Sequence, residues 1–267
     1  MRNTTPSSTK FEQFFEDPLY LLYKNHLYNF LVRRWVIRRK LRQKSFGKIL
    51  ELGCGISPIL KGGRGVIQTD FSWQALSHLN RRSQKEKPGP RISCDATQLP
   101  FPDESFDCVI CSEVIEHIEN DAQAFHEIAR VLRPGGELYL TCPMHQKYFG
   151  FDDQFVGHYR RYEIEDLKNQ LSDRGLSGVK ITAVLGPLEK WIMEKVTRIF
   201  ASRKNGRPKN SLRGTMGPVL RGLAWMGLPF YILLNYMLAQ LVYFQAQSVP
   251  FDEAVTLCFH CQKQTLN

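Results

Sequence analysis

Residues 48–70, KILELGCGISPILKGGRGVIQTD, constrain the fold more than any other stretch. An apolar run ends there in Gly-Cys-Gly, and an aspartate follows 15 residues after the second glycine. Ile49, Leu50 and Leu52 read as a buried strand, and Gly53 and Gly55 let the backbone turn sharply and approach a ligand closely. Residues 62–65 read as a second turn and 66–69 as a second strand that ends at Asp70. An acidic side chain at the tip of the second strand of a βαβ unit is placed to accept hydrogen bonds from ribose hydroxyls. The pattern points to a nucleotide-type cofactor, although a tight turn plus a surface aspartate fits the same residues.

Two departures bear on which cofactor it is. A dinucleotide fingerprint has a third glycine at position 58, where this chain has Pro58, and only residues 58–61 remain for a helix before Gly62. Proline is tolerated in a first helical turn, so a very short helix is expected here. Such a helix offers little N-terminus to hold a pyrophosphate. A phosphate-free nucleoside carrying an amino acid suits the site better than a dinucleotide.

Three further motifs follow in order: Cys94-Asp95-Ala96 with Leu99-Pro100-Phe101, then SFDCVICSEVIEHI over 105–118, then VLRPGGELYL over 131–140. Together with LELGCG they resemble the class I S-adenosylmethionine-dependent methyltransferases, in particular the small-molecule branch that includes the ubiquinone-pathway enzymes. The resemblance covers residues 47–186 and recurs near the C-terminus. It implies an α/β fold, a Rossmann-like seven-stranded sheet with helices on both faces, here with an N-terminal helical extension and a helical apolar insertion before the last strand. It also implies S-adenosylmethionine as cofactor, with Glu51, Gly53, Cys54 and Gly55 around the methionine part and Asp70 on the ribose. Phe71 would lie beside the adenine, Asp95 would accept from its amino group, Ala96 would contact the ring, and Ser112 would lie under the sulfonium end. Ser57 stands where the family often has a third glycine, which sets the first loop apart. Physics agrees with the placement, since ligands of open parallel sheets sit at the carboxyl ends of strands, where Asp70, Asp95 and Ser112 fall. Asp107 precedes its strand and is read as a surface residue on the far edge.

Glu113, Glu116 and His117 form a separate constellation. Read as helix, their spacing puts Glu113 near both partners on one face. His117 is open to three readings: a metal ligand beside hard carboxylate oxygens, an acid or base with an ordinary pKa near 6.5, or a structural histidine. No metal is assigned, and His117, Glu113 and Tyr159 are the candidate catalytic residues. Tyr159 belongs to His158-Tyr159-Arg160-Arg161, which by family analogy lies near the cofactor mouth; touching the acceptor, binding an anionic substrate, or capping the following helix are all open to this segment. Methyl transfer asks little else of a protein, because the sulfonium is already activated and rate comes from alignment and exclusion of water.

The net charge of +10 is unevenly spread. Residues 1–48 carry 11 Lys or Arg and 3 acids, 49–188 carry 15 and 19, and 189–221 carry 9 and 2. The basic excess therefore sits in two appendages on a mildly acidic core, which divides the chain into an extension (1–46), a cofactor domain (47–186 with 254–267) and an insertion (187–253). After a polar leader, the extension mixes aromatic residues with the basic run RRWVIRRKLRQK over 33–44, a composition suited to an anionic membrane, to RNA, or to a helix covering the sheet edge or lidding the cofactor. The insertion contains 30 uncharged residues over 222–251, enough to span a bilayer by length. A single crossing would strand the last strand, expected at 254–261, on the wrong side, so an interfacial helical hairpin or an apolar lid is expected instead. Cys258 and Cys261 form a CxxC that reads as strand, hence incidental rather than zinc-binding. Unpaired thiols and a sequence without a signal peptide point to the cytoplasm, with peripheral attachment to the inner face of the membrane. The expected function is methyl transfer to a small, hydrophobic or lipid-like acceptor; RNA modification and cofactor binding without turnover are the alternatives. The partners expected are that acceptor and an anionic membrane surface, not nucleic acid, and the oligomeric state stays open.

Overall fold

The computed structural model describes residues 23–42, 44–82, 89–205 and 218–265. The polar leader and the aromatic positions of residues 11–22 lie outside them. Helix α1 (Tyr28–Leu41) precedes strands β1 (Ile49–Leu52) and β2 (Val66–Asp70), helix α2 (Trp73–Arg82), β3 (Arg91–Ser93) and β4 (Phe106–Ser112). Then come α3 (Asp121–Val131), β5 (Leu132–Pro143), α4 (Phe151–Val156), α5 (Ile164–Ser172) and β6 (Leu176–Leu185). Two helices, α6 (Pro187–Asn205) and α7 (Pro218–Gln247), separate β6 from the last strand, β7 (Thr256–Lys263).

The seven strands form one mixed sheet in the order β3-β2-β1-β4-β5-β7-β6. Only β7 runs antiparallel, against both β5 and β6. The central strand β4 is buried on both faces, so its sequence is a continuous apolar run rather than an alternation. Val109 and Cys111 face a cluster closed by Phe125 and Ile128 of α3 and Leu167 and Leu171 of α5. Cys108 and Ile110 face the opposite cluster, closed by Phe30, Leu31 and Ile37 of α1 and by Ala239 and Val242 of α7. Helices thus cover both faces, and the extension and the insertion together supply one of them. The basic extension is therefore a face-covering helix rather than an edge cover.

Three expectations change. No helix forms between β1 and β2. The loop is held instead by the buried Glu51 carboxylate, which accepts the amide N–H of Ile59 and of Leu60 and a bond from Gln68 Nε2. The last strand is Thr256–Lys263 instead of 254–261, because the chain first turns through residues 248–253. Asp107 is buried rather than exposed: it accepts the Lys48 amide at 2.6 Å and pairs with Arg133 at 2.6 Å, fixing the start of β4 to the start of β1. The CxxC spacing of Cys258 and Cys261 lies within β7, and the two thiols fall in clusters on opposite faces of the sheet. Cys108 and Cys111 are separated in the same way within β4. Neither pair converges on one ion.

Candidate active site

The strand order reverses between β1 and β4, and the carboxyl ends of these strands open onto a cleft of about 850 Å³. Glu51, Gly53, Cys54, Gly55, Asp70, Phe71, Asp95, Ala96, Ser112, Glu113, His117 and Tyr159 all line it. Residues as far apart in sequence as Glu51 and Tyr159 therefore converge on one place.

Gly53 and Gly55 have φ of 67° and 53°, in the left-handed region. A Cβ at Gly53 would lie 2.3 Å from Val114 Cγ2, whereas one at Gly55 would meet nothing within 4 Å. Packing demands the first glycine, and the second leaves bare backbone against the cleft. The Gly55 amide donates to Asp70 Oδ2 at 2.7 Å and the Ser72 amide to Oδ1 at 2.8 Å. Burial still raises the Asp70 pKa against both donors, so further donors such as a pair of hydroxyls would stabilise the carboxylate. Phe71 presents a ring that is 57% exposed at the cleft mouth. Asp95 Oδ1 accepts from Thr97 N and Oγ1, both at 2.8 Å, which fixes the turn that carries it. Ser112 Oγ shares a hydrogen bond with Thr141 Oγ1 at 2.9 Å.

Two of these residues meet the cleft differently from the expectation. Glu51 is engaged by backbone amides, and burial lifts its pKa to about 7. It holds the loop and offers no free carboxylate to a methionine group. The Cys54 side chain packs with Leu76 and Leu79 of α2, so only its backbone faces a ligand.

The Glu113–His117 segment is not the helix its spacing suggests. Glu113 adopts φ 55°, a strained position for a residue with a Cβ, and a single 3₁₀ turn follows over Ile115–His117. The turn sends Glu116 into the interior while Glu113 stays on the cleft wall, paired through Oε2 with Arg33 of α1 at 3.0 Å. Oε1 of Glu113 and both oxygens of Glu116 are buried without a hydrogen-bond partner. Glu116 Oε1 lies 3.8 Å from His158 Nε2 and 4.0 Å from His117 Nε2, a grouping of donor atoms compact enough for a metal ion. Burial, then the neighbouring Glu113, pushes the Glu116 pKa well up, which favours the protonated acid. Burial, then His158, lowers the His117 pKa to about 3, so this imidazole is neutral at physiological pH.

A depressed histidine pKa stabilises the fold above the unfolded value of 6.5 and loses that contribution as pH falls toward about 3. Accordingly, the stability advantage of the wild type over His117→Gln shrinks as pH is lowered through this window. Urea titrations of both proteins from pH 7 to pH 4 measure it, and parallel curves would refute the burial account.

The segment 158–161 builds an ion-pair cluster. His158 Nδ1 meets Asp153 Oδ1 at 2.8 Å, and Arg161 grips the same carboxylate through Nε and Nη2, each 2.9 Å from Oδ1. Lys190 Nζ of α6 adds a contact at 3.0 Å. Arg160 pairs with Asp121 at 2.6 Å. Both arginines are thus engaged by acids, and Tyr159 alone of the segment is exposed, on the cleft rim.

Sequence reasoning missed the cleft's second wall: Phe30 and Arg33 of α1, Glu189 and Met193 of α6, and Val255 and Thr256 beside β7. Residues 28–37 of α1 bury Tyr28, Phe30, Leu31, Val32, Val36 and Ile37. The apolar positions among the arginines carried this signal, which the charge of the run masked.

A seven-stranded sheet with one reversed strand, a glycine turn after β1 and a carboxylate at the end of β2 define a Rossmann-like methyltransferase fold. Residues 50–140 match a family model described as a methyltransferase domain. A probable S-adenosylmethionine-dependent methyltransferase of Mycolicibacterium smegmatis is 34% identical over 119 residues, covering 42% of this chain and 44% of that protein. The demethylmenaquinone methyltransferase of Mycobacterium tuberculosis is 34% identical over 113 residues, covering 41% of this chain and 46% of that protein. The chain thus spans about half the length of the curated relatives it matches. Phosphoethanolamine N-methyltransferase 2 of Haemonchus contortus, solved with S-adenosyl-L-methionine, shares the fold with a TM-score of 0.60 at 19% identity, covering 96% of this chain and 60% of that one.

Proposed function

We propose that this chain transfers a methyl group from S-adenosylmethionine to a small, hydrophobic acceptor of the quinone-precursor or lipid-linked kind. The observation that carries the reading is the lining of the cleft. Asp70, Asp95 and Ser112 line the same cleft as Leu27, Phe30, Val156, Leu185 and Met193, with Arg33, Glu113 and Glu189 among them. One cleft thus offers polar groups suited to a nucleoside and apolar side chains suited to a hydrophobic acceptor. The relative in M. tuberculosis named for demethylmenaquinone supports the same class.

Asp70 would hold the ribose hydroxyls, Phe71, Asp95 and Ala96 the adenine, and the Gly53–Gly55 backbone with Ser112 the amino acid end. Bound there, the sulfonium supplies an electrophilic methyl group. The chain's own residues then position the acceptor and shed water. Arg33 fixes Glu113 Oε2, and Oε1 of the same carboxylate, buried on the cleft wall without a hydrogen-bond partner, is the atom that would take the proton an acceptor hydroxyl loses. His117, held neutral by burial, serves as a hydrogen-bonding wall. Tyr159 closes the rim.

The test supplies methyl-labelled S-adenosylmethionine with a prenylated hydroquinone, and in parallel with phosphoethanolamine and histamine. Label is expected in the organic phase and absent in Glu113→Leu. Label only in the water-soluble amines would overturn the acceptor class.

A further inference from the structure

The described part of α7 packs against the body in an inverted sense. Its buried positions are Asn235, Ala239, Val242 and Ala246, spaced four, three and four apart, so its small residues face the protein. Its large apolar residues face outward: Phe230 is 77% exposed, Leu234 63% and Phe244 64%, with Leu233, Met237 and Leu241 between them on the same side. A helix that served only the interior of this protein would show the reverse arrangement, because burying large side chains is what drives packing. Residues 227–247 are also long and apolar enough to cross a membrane. Yet α6 and α7 leave the sheet after β6 and return at β7, its antiparallel neighbour, so the helix begins and ends on the same body. A single crossing would strand β7 on the wrong side, and the burial of Asn235, Ala239, Val242 and Ala246 lays this helix along the body with its apolar face outward.

We propose that this face is a docking surface for an anionic lipid bilayer, on which α7 lies in the interface with its large side chains among the acyl chains. Charge decides between lipid and the other candidate, a second copy of the chain. The 33 residues 189–221, directly before the uncharged run, carry 9 Lys or Arg and 2 acids, and the whole chain is at +10. Two copies with this excess of positive charge repel each other. Anionic headgroups attract the same net charge. The exposed Trp191 of α6, 62% accessible, is a side chain suited to the headgroup level.

Co-sedimentation of the full chain with vesicles tests the surface without reference to methyl transfer, so failure of one proposal leaves the other measurable. Vesicles of phosphatidylcholine with 30% phosphatidylglycerol should retain the protein, pure phosphatidylcholine should retain much less, and 0.5 M salt should weaken the retention. The double variant Leu234→Glu with Leu241→Glu should lose partitioning by on the order of a hundredfold, while keeping the wild-type thermal transition. Absence of wild-type retention on anionic vesicles, equal retention of the variant, or a wild-type dimer in light scattering that the variant dissolves would each overturn the proposal.

Discussion

Replacing Asp70 with alanine should weaken S-adenosylmethionine binding by at least about a hundredfold, because two hydrogen bonds to a charged acceptor, each worth roughly 1.5–3 kcal/mol, are lost together. The same carboxylate holds the Gly55 and Ser72 amides at 2.7 and 2.8 Å, so the alanine variant also loosens the loop after β1. Asp70→Asn separates the two effects. It keeps an acceptor oxygen for one amide but gives up the charge, and should bind about tenfold more weakly than the wild type. Equilibrium dialysis with labelled cofactor measures all three proteins. An alanine variant that binds like the wild type would remove Asp70 from the cofactor site.

The largest loss of stability should follow Arg161→Ala. Arg161 is buried and holds Asp153, itself 1% exposed, through Nε and Nη2, with further bonds to the carbonyl oxygens of Met144 and Val255. Removing one partner of a buried pair costs about 3–5 kcal/mol where the other charge is left unpaired, and the contacts of His158 and Lys190 to Asp153 place the expected cost toward the lower end. For a chain of this size that corresponds to a fall in Tm of roughly 6–15 °C. His158, Arg161 and the Gly150 amide outweigh burial at Asp153 and hold its carboxyl well below the ordinary 3.8. A lowered carboxyl pKa stabilises the fold fully above the unfolded value and loses that contribution progressively as pH falls toward the lower folded value. The advantage of the wild type over Arg161→Ala should therefore begin to shrink below about pH 3.8, which calorimetric scans at pH 7 and pH 3 would show as a smaller gap. Lysine at 161 should recover little, since one ammonium cannot reproduce the guanidinium fork.

Most of the fold and one half of the site were legible in the sequence. Gly53, Gly55, Asp70, Asp95 and Ser112 sit at strand ends fixed by local pattern, and local pattern survives folding largely intact. What escaped was decided by tertiary contact. Glu116 cannot be placed from spacing, because the left-handed Glu113 breaks the helical period and a 3₁₀ turn reverses the face. Glu51 reads as a ligand by position but acts as the clamp of a loop with no helix of its own. Arg33 and Glu189 are distant in sequence and meet the cleft only because α1 and α6 fold over it. The apolar run 222–251 announced itself by composition, whereas the outward direction of its large side chains is visible only in three dimensions.

We place S-adenosylmethionine at the carboxyl ends of β1, β2 and β4. Isothermal titration of the intact chain with S-adenosylmethionine and with S-adenosylhomocysteine tests it most directly. The structure predicts one site per chain, competition between the two ligands, and loss of the heat in Asp70→Ala. No measurable heat for either ligand, or binding indifferent to the Asp70 substitution, would contradict it.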